Sequence, residues 1–245
     1  MNWFLILFIS SICNLNAMEP FDVKLRDRIE NESGFVEIRD RAEKWDPAET
    51  AIIVCDMWDS HHCYNAVKRA NEIAPRIDEL IQKVRARGGT VIHSPSSCVN
   101  FYKSNPARIR AMNAPAATNL PDGISNWMHW ISEEEEEAGY PIDHSDGGED
   151  DDPKEHMKWA QKLQSMGLNP RAPWKRQIDS ITIDADSDYI TDSGVENWNI
   201  LENKKIKNVM VLGVHTNMCV LGRPFGLRQL AKNGKNVVLV RDLTD

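Results

Sequence analysis

Five short strand-like runs, rich in apolar or β-branched residues, constrain this chain more than any other feature. They are residues 51–56, 90–93, 180–184, 207–214 and 236–240. The continuous apolar run 51–56 is the mark of a central parallel strand covered on both faces, and helices alternating with the runs give an open α/β sheet. Apolar residues at helical spacing predict helices over 67–87 and 195–204. Gly88-Gly89 closes the first, and Pro75 inside it marks a break or a late start. Further helices are predicted over 106–112, over 152–166 with Pro153 in the first turn, and over 219–233 up to Gly234. Residues 18–48 are mixed and charged, with one edge strand predicted at 35–38.

Two of the core runs end in residues that carry chemistry. The run from Val211 passes Gly213 and turns polar through His215, Thr216 and Asn217 to Cys219. This reads as a buried strand, a tight turn and a thiol at the start of a helix, where unpaired N–H groups and the helix dipole favour the thiolate. The plain alternative is a structural cysteine at a strand–helix junction. The run 51–56 ends in Asp56, at the strand end where open α/β sheets hold their ligands. Asp56 is a candidate to orient or deprotonate a thiol on a neighbouring strand, or alternatively a turn cap.

Asp56 within Ile-Val-Cys-Asp-Met-Trp-Asp and Cys219 within Gly-Val-His-Thr-Asn-Met-Cys-Val resemble the two ends of the isochorismatase-like cysteine hydrolases, which include nicotinamidases, N-carbamoylsarcosine amidohydrolases and isochorismatases. The likeness spans roughly residues 49–97 and 180–245. It implies a three-layer αβα fold with a Rossmann-like open parallel sheet of order 3-2-1-4-5, truncated at the C-terminus so that one face is partly uncovered. It also implies a Cys219 nucleophile, an Asp56 base, a cis bond at Val214–His215, and an oxyanion hole made from the backbone N–H groups of His215 and Cys219. The amidase relatives add a lysine at the end of the third strand. Here residues 181–192 contain none, and Asp184, Asp186 or Asp188 falls at that place. Carboxylates near Asp56 would disfavour a thiolate. Lys175 and Arg176, just ahead of the run, are the candidate replacements.

Residues 94–179 form a long insert. Its Trp127, Trp130, Trp159 and Trp174 are expected either to wall a pocket or to tie the insert to the core. Residues 133–152 hold eleven acids and no Lys or Arg. Without them, 26 acids face 29 basic residues, so the net charge of −8 comes from one segment, read as a solvated loop. Its carboxylates would suit calcium, but their spacing is not that of an EF-hand. No basic aromatic patch supports a nucleic-acid partner.

Residues 1–17 resemble a signal peptide: the apolar core is too short to span a membrane, and Ala17 suits a cleavage site. Export to the periplasm or outside the cell is expected, with the hydrolase-like domain over 18–245. Cys63 and Cys98 follow the first two core strands, and pairing between them is open.

His61, His62 and His93 lie just beyond strand ends. With Trp58, they are the candidate substrate contacts. The region after His93 lacks the relatives' metal pattern, and neither a dinucleotide fingerprint nor a Walker motif is present, so no metal or cofactor is expected. Two readings stay open. One is a hydrolase of a small amide or related C–N bond, taking a small-molecule substrate. The other is a non-catalytic binding or assembly protein that kept the fold and lost the lysine. A homo-oligomer is open in either case.

Overall fold

The computed structural model describes residues 18–137 and 147–245. The leader expected at 1–17 and residues 138–146 of the acidic segment lie outside the described residues. The elements, in order, are β1 (Phe21–Glu30), β2 (Val36–Trp45), β3 (Thr50–Cys55), α1 (Tyr64–Ala86), β4 (Thr90–Ser94), α2 (Pro106–Met112), α3 (Glu133–Glu137), α4 (Pro153–Ser165), β5 (Tyr189–Ile190), α5 (Gly194–Asn203), β6 (Asn208–Gly213), α6 (Leu227–Lys232) and β7 (Asn236–Thr244).

Five strands form a parallel sheet ordered β5-β4-β3-β6-β7, which is 3-2-1-4-5 counted within the sheet. The central strand β3 is buried at every residue. Its side chains alternate between two cores, as the strand period requires. Ile52 and Val54 pack with Ala74, Ile77 and Ile81 of α1. Ala51 and Ile53 pack on the opposite face with Ile200 and Leu201 of α5 and Leu230 of α6. This is the expected open α/β sheet with helices on both faces. On the edge strand β7, Val237 to Val240 are only half-buried. Among the described residues, no helix is long and apolar enough to cross a membrane.

Four elements differ from their sequence expectations. The third strand is not at 180–184 but is the two-residue β5. Asp184 instead caps a turn: its carboxylate accepts the Asp186 N–H at 3.0 Å and the Ser187 hydroxyl at 2.7 Å. Aspartate and serine favour such turns over a ladder. The helix expected over 219–233 is divided into a π-helical turn, Thr216–Val220, and α6. Pro224 between them has no N–H to donate. Pro75 does not interrupt α1, which is capped by Cys63 and runs for 23 residues. Residues 21–45 form an antiparallel hairpin, β1–β2, where only one edge strand was expected.

Candidate active site

Asp56 follows β3 with φ at 48°, a left-handed conformation uncommon for a residue with a side chain. Its N–H continues the ladder to the Ser94 carbonyl at 3.1 Å, and its carbonyl accepts the Trp58 N–H at 2.8 Å. The turn carries its carboxylate, fully buried, into the gap between the ends of β3 and β6. Oδ1 accepts the Ser96 N–H at 2.8 Å, and Oδ2 accepts from Nε of Arg223 at 3.0 Å.

On β6, Gly213 lies so close to β3 that a Cβ there would sit 1.9 Å from the Cys55 carbonyl oxygen, and its φ is +110°. Only glycine fits this approach. The next bond, Val214–His215, is cis. The π-helical turn then brings Cys219 back against Asp56. The Cys219 thiol is hydrogen-bonded to the Asp56 carboxylate, and the backbone N–H of His215 faces its sulfur. Burial, and then the negative charge of Asp56, push the thiol well above its ordinary value, while Arg223 opposes this in part. Cys219 therefore rests as a protonated thiol. The expected lowering by a helix N-terminus does not occur, because Cys219 lies inside a buried turn and α6 starts eight residues later.

Neither Lys175 nor Arg176 supplies the missing cation. The Lys175 N–H bonds Asp59 at 2.9 Å, and the Arg176 guanidinium faces Asp59 at 3.6 Å and Asp179 at 2.8 Å. The cation beside Asp56 is Arg223, four residues beyond Cys219. The Arg223 N–H bonds the Cys219 carbonyl at 3.0 Å, so a single turn presents both side chains to Asp56. That i, i+4 spacing was the available sequence signal. The Arg223 guanidinium also covers the ring of Trp127 at 4.5 Å. The Trp127 segment is pinned by a bond from the Met128 N–H to the Gly222 carbonyl at 2.8 Å.

Of the expected substrate contacts, His93 is elsewhere. It is fully buried, its Nδ1 2.9 Å from Gln177 and its Nε2 3.1 Å from Asp188, which also pairs with Arg85 at 2.6 Å. The carboxylate that stands near the lysine's expected place is thus already occupied. Burial alone would raise the pKa of Asp188, but hydrogen bonds from His93 and Arg85 outweigh it and hold it at about 2.

Trp58, His61 and His62 do gather. Trp58 stacks on Trp174 at 4.7 Å and on His61 at 6.0 Å, and its indole N–H donates to the Ser96 carbonyl at 3.0 Å. The ring of His62 lies 4.0 Å from that of His61. His61 Nδ1 accepts the Cys63 N–H at 3.2 Å, so its proton is on Nε2, facing His215 Nε2 at 3.2 Å. Burial, followed by the charges of His62 and His215, lowers His61 to about 2, and burial also lowers His215. Both rings are neutral at physiological pH. Trp159 ties the insert on by donating to the His61 carbonyl at 2.9 Å, whereas Trp130 is exposed. Cys55, Cys63, Cys98 and Cys219 are all free thiols, so Cys63 and Cys98 are unpaired.

Two solved structures are similar to the chain over four fifths of its length. One is a cysteine hydrolase from Pseudomonas syringae pv. phaseolicola 1448A, at 20% identity, with 81% of this chain and 73% of that one covered and a TM-score of 0.41. The other is an isochorismatase family protein from Desulfovibrio vulgaris subsp. vulgaris str. Hildenborough, at 13% identity, with 80% and 81% covered and a TM-score of 0.40. No protein-family model and no curated protein matches the sequence.

Proposed function

We propose that this chain is an isochorismatase-like cysteine hydrolase acting on a small amide or related C–N bond. The observation that carries this reading is Asp56, buried and held between the Cys219 thiol and the Arg223 guanidinium. As the sulfur of Cys219 attacks the substrate carbonyl, its proton passes to Asp56 along the existing hydrogen bond. The N–H groups of His215 and Cys219 hold the oxyanion. When the C–N bond breaks, the amine leaves with the proton from Asp56, and a thioester remains on Cys219. Water, deprotonated by Asp56, then releases the acid. Arg223 balances the negative charge of Asp56 through the cycle, the duty that the resemblance gives to a lysine. Trp58, Trp174 and His61 wall the site with flat, uncharged rings, which fits a small planar substrate.

The closed resting thiol favours a second reading, a non-catalytic relative in which Cys219, Asp56 and Arg223 form a structural cluster. Turnover of a panel of small amides and imides by the native chain and by Cys219→Ala separates the two. Hydrolysis lost in Cys219→Ala, together with an acyl adduct on Cys219 by mass spectrometry, supports the enzyme. Turnover that persists in Cys219→Ala removes the nucleophile, and a native chain inert to the whole panel favours the structural cluster.

A further inference from the structure

Away from Cys219, a second cysteine lies in a setting that no step of the proposed reaction uses. Cys63 is fully buried and caps the first turn of α1, its sulfur accepting the Ala66 N–H at 3.4 Å. The acidic segment brings carboxylates to the same sulfur. Asp150 Oδ1 lies 3.0 Å from it and Asp151 Oδ1 3.5 Å. Cys63, Glu149 and Asp151 each offer a ligand atom within 4.8 Å of the others. His156, on the first turns of α4, joins them: its Nδ1 is 2.7 Å from Glu149 Oε2 and 3.8 Å from Asp151 Oδ2.

The spacing can be checked against a metal. Zinc bound at about 2.3 Å to sulfur and about 2.0–2.2 Å to nitrogen and oxygen sets tetrahedral donor–donor edges of about 3.3–3.7 Å. The Cys63 Sγ–Asp151 Oδ1 separation, 3.5 Å, and the His156 Nδ1–Asp151 Oδ2 separation, 3.8 Å, lie close to that range, each made by a different oxygen of the one carboxylate. The Glu149–His156 pair is tighter, at 2.7 Å, and would open by about 0.6–1.0 Å to admit the ion.

A second observation points the same way. Glu149 Oε2 and His156 Nδ1 are buried atoms set against each other at 2.7 Å, and among the described residues neither makes a hydrogen bond to any other group. Supporting bonds are also in place. Asp151 accepts the N–H groups of Tyr64 and Asn65 at 2.7 Å each, and Glu149 Oε1 accepts the Asp151 N–H at 2.8 Å, leaving Oε2 to face inward. Ligating carboxylates are held by an outer shell in this way. Among the described residues, the three acids Glu149, Asp150 and Asp151 meet one arginine, Arg69, which is paired with Asp150 and Asp245.

We propose that Cys63, Glu149, Asp151 and His156 bind a divalent transition-metal ion of the zinc type. A thiolate and an imidazole select such an ion over calcium, which prefers oxygen alone. The site is structural. It clamps the acidic segment and the start of α4 to the N-terminus of α1. The neighbouring glycines show what the clamp holds in place. A Cβ on Gly147 would meet the His62 ring at 3.4 Å, and one on Gly148 would meet Met218 at 3.3 Å and His215 at 3.6 Å. The ion thus fixes one wall beside the candidate active site without touching Cys219. The proposal stands whether or not the hydrolase reading does.

The test uses the full chain, freed of metal by a chelator and kept reduced. Zinc is titrated against a chromophoric competitor, and cobalt(II) serves as the optical probe. The expected result is one tightly bound equivalent, with a thiolate-to-cobalt charge-transfer band that persists in Cys219→Ser and is lost in Cys63→Ser. His156→Gln removes a half-exposed ligand without disturbing the α1 cap, and it should weaken zinc binding at least tenfold. Hydrogen exchange at 147–152 should slow on adding zinc to the native chain and not to His156→Gln. The absence of saturable one-equivalent binding overturns the proposal. So does a band that follows Cys219, or an affinity unchanged in His156→Gln. In either case Cys63 and the acids are only caps for α1.

Discussion

At the scale of single residues, the arrangement around Asp56 turns on Arg223. The pair is largely dehydrated, with Asp56 fully buried and the Arg223 side chain 19% exposed. Removing one partner of such a pair leaves a buried charge uncompensated, at a cost of roughly 3–5 kcal/mol. Arg223→Met should therefore lower unfolding stability by about that amount and abolish most turnover. Arg223→Lys returns the charge without the planar fork and should recover part of both, as read from urea denaturation beside kcat. Equal kcat in the native and Arg223→Met proteins would sink the role given to this residue. The resting state of Cys219 leads to another expectation. Because burial and Asp56 hold the proton on its sulfur, alkylation by iodoacetamide should be slow at neutral pH and accelerate only well into the alkaline range. In Asp56→Asn the labelling should shift toward lower pH, since a negative neighbour is gone. A fast, pH-independent reaction of Cys219 in the native chain would contradict the protonated thiol. Asp56 and Cys219 could be seen in the sequence because each ends a core run. Arg223 had only its i, i+4 spacing from Cys219 as a signal, and that spacing does not show which way the turn between Gly213 and Pro224 faces.

Among the elements, those with strong apolar periodicity were legible and those governed by polar turn chemistry were not. Strands β3, β4 and β6 and helices α1 and α5 fall within a few residues of their expected places. Strand β5 was missed because Asp184 and Ser187 close a turn just where the third strand was expected to end. The hairpin β1–β2 was hidden because its outer faces are charged. It is held by cross-strand pairs such as Arg26–Asp40 at 2.8 Å, and only Leu25 and Trp45 are buried. The link between β5 and its neighbours has a measurable consequence. Asp188 joins Arg85 of α1 to His93 of β4, and its folded pKa, about 2, lies below the ordinary value of 3.8. A depressed acid stabilises the fold above its unfolded pKa and loses that contribution as pH falls through the folded one. The carboxylate should thus contribute roughly 2 kcal/mol at neutral pH. Asp188→Asn should show that deficit at pH 7, and the gap to the native chain should narrow between about pH 4 and pH 2. A gap independent of pH would mean that packing, not charge, is what Asp188 supplies.

For the whole molecule, the parallel sheet order puts β3 and β6 side by side and so brings Asp56 and Cys219 to one crevice, and the same topology buries two neutral imidazoles there. His61 is lowered to about 2 from an ordinary 6.5, chiefly by burial. Unfolding exposes the ring to water, where it binds a proton below about pH 6.5. The unfolded chain then holds more protons than the folded one, so stability is fully present above the unfolded pKa and falls as pH drops below it. His215, also lowered, adds to the same slope. The native chain should therefore begin to lose stability near pH 6.5, well above the range in which its carboxylates titrate. His61→Gln keeps a polar side chain in the position but cannot take up that proton. Its stability at pH 7 should be lower, because the stack with Trp58 and the contact with His215 are weakened. Between pH 7 and pH 5, however, its stability should decline by about one proton less per molecule than that of the native chain, measured as the slope of unfolding free energy against pH from urea titrations. Parallel slopes for the two proteins would show that His61 is protonated in the folded state, and the neutral aromatic wall assigned to the site would have to be abandoned.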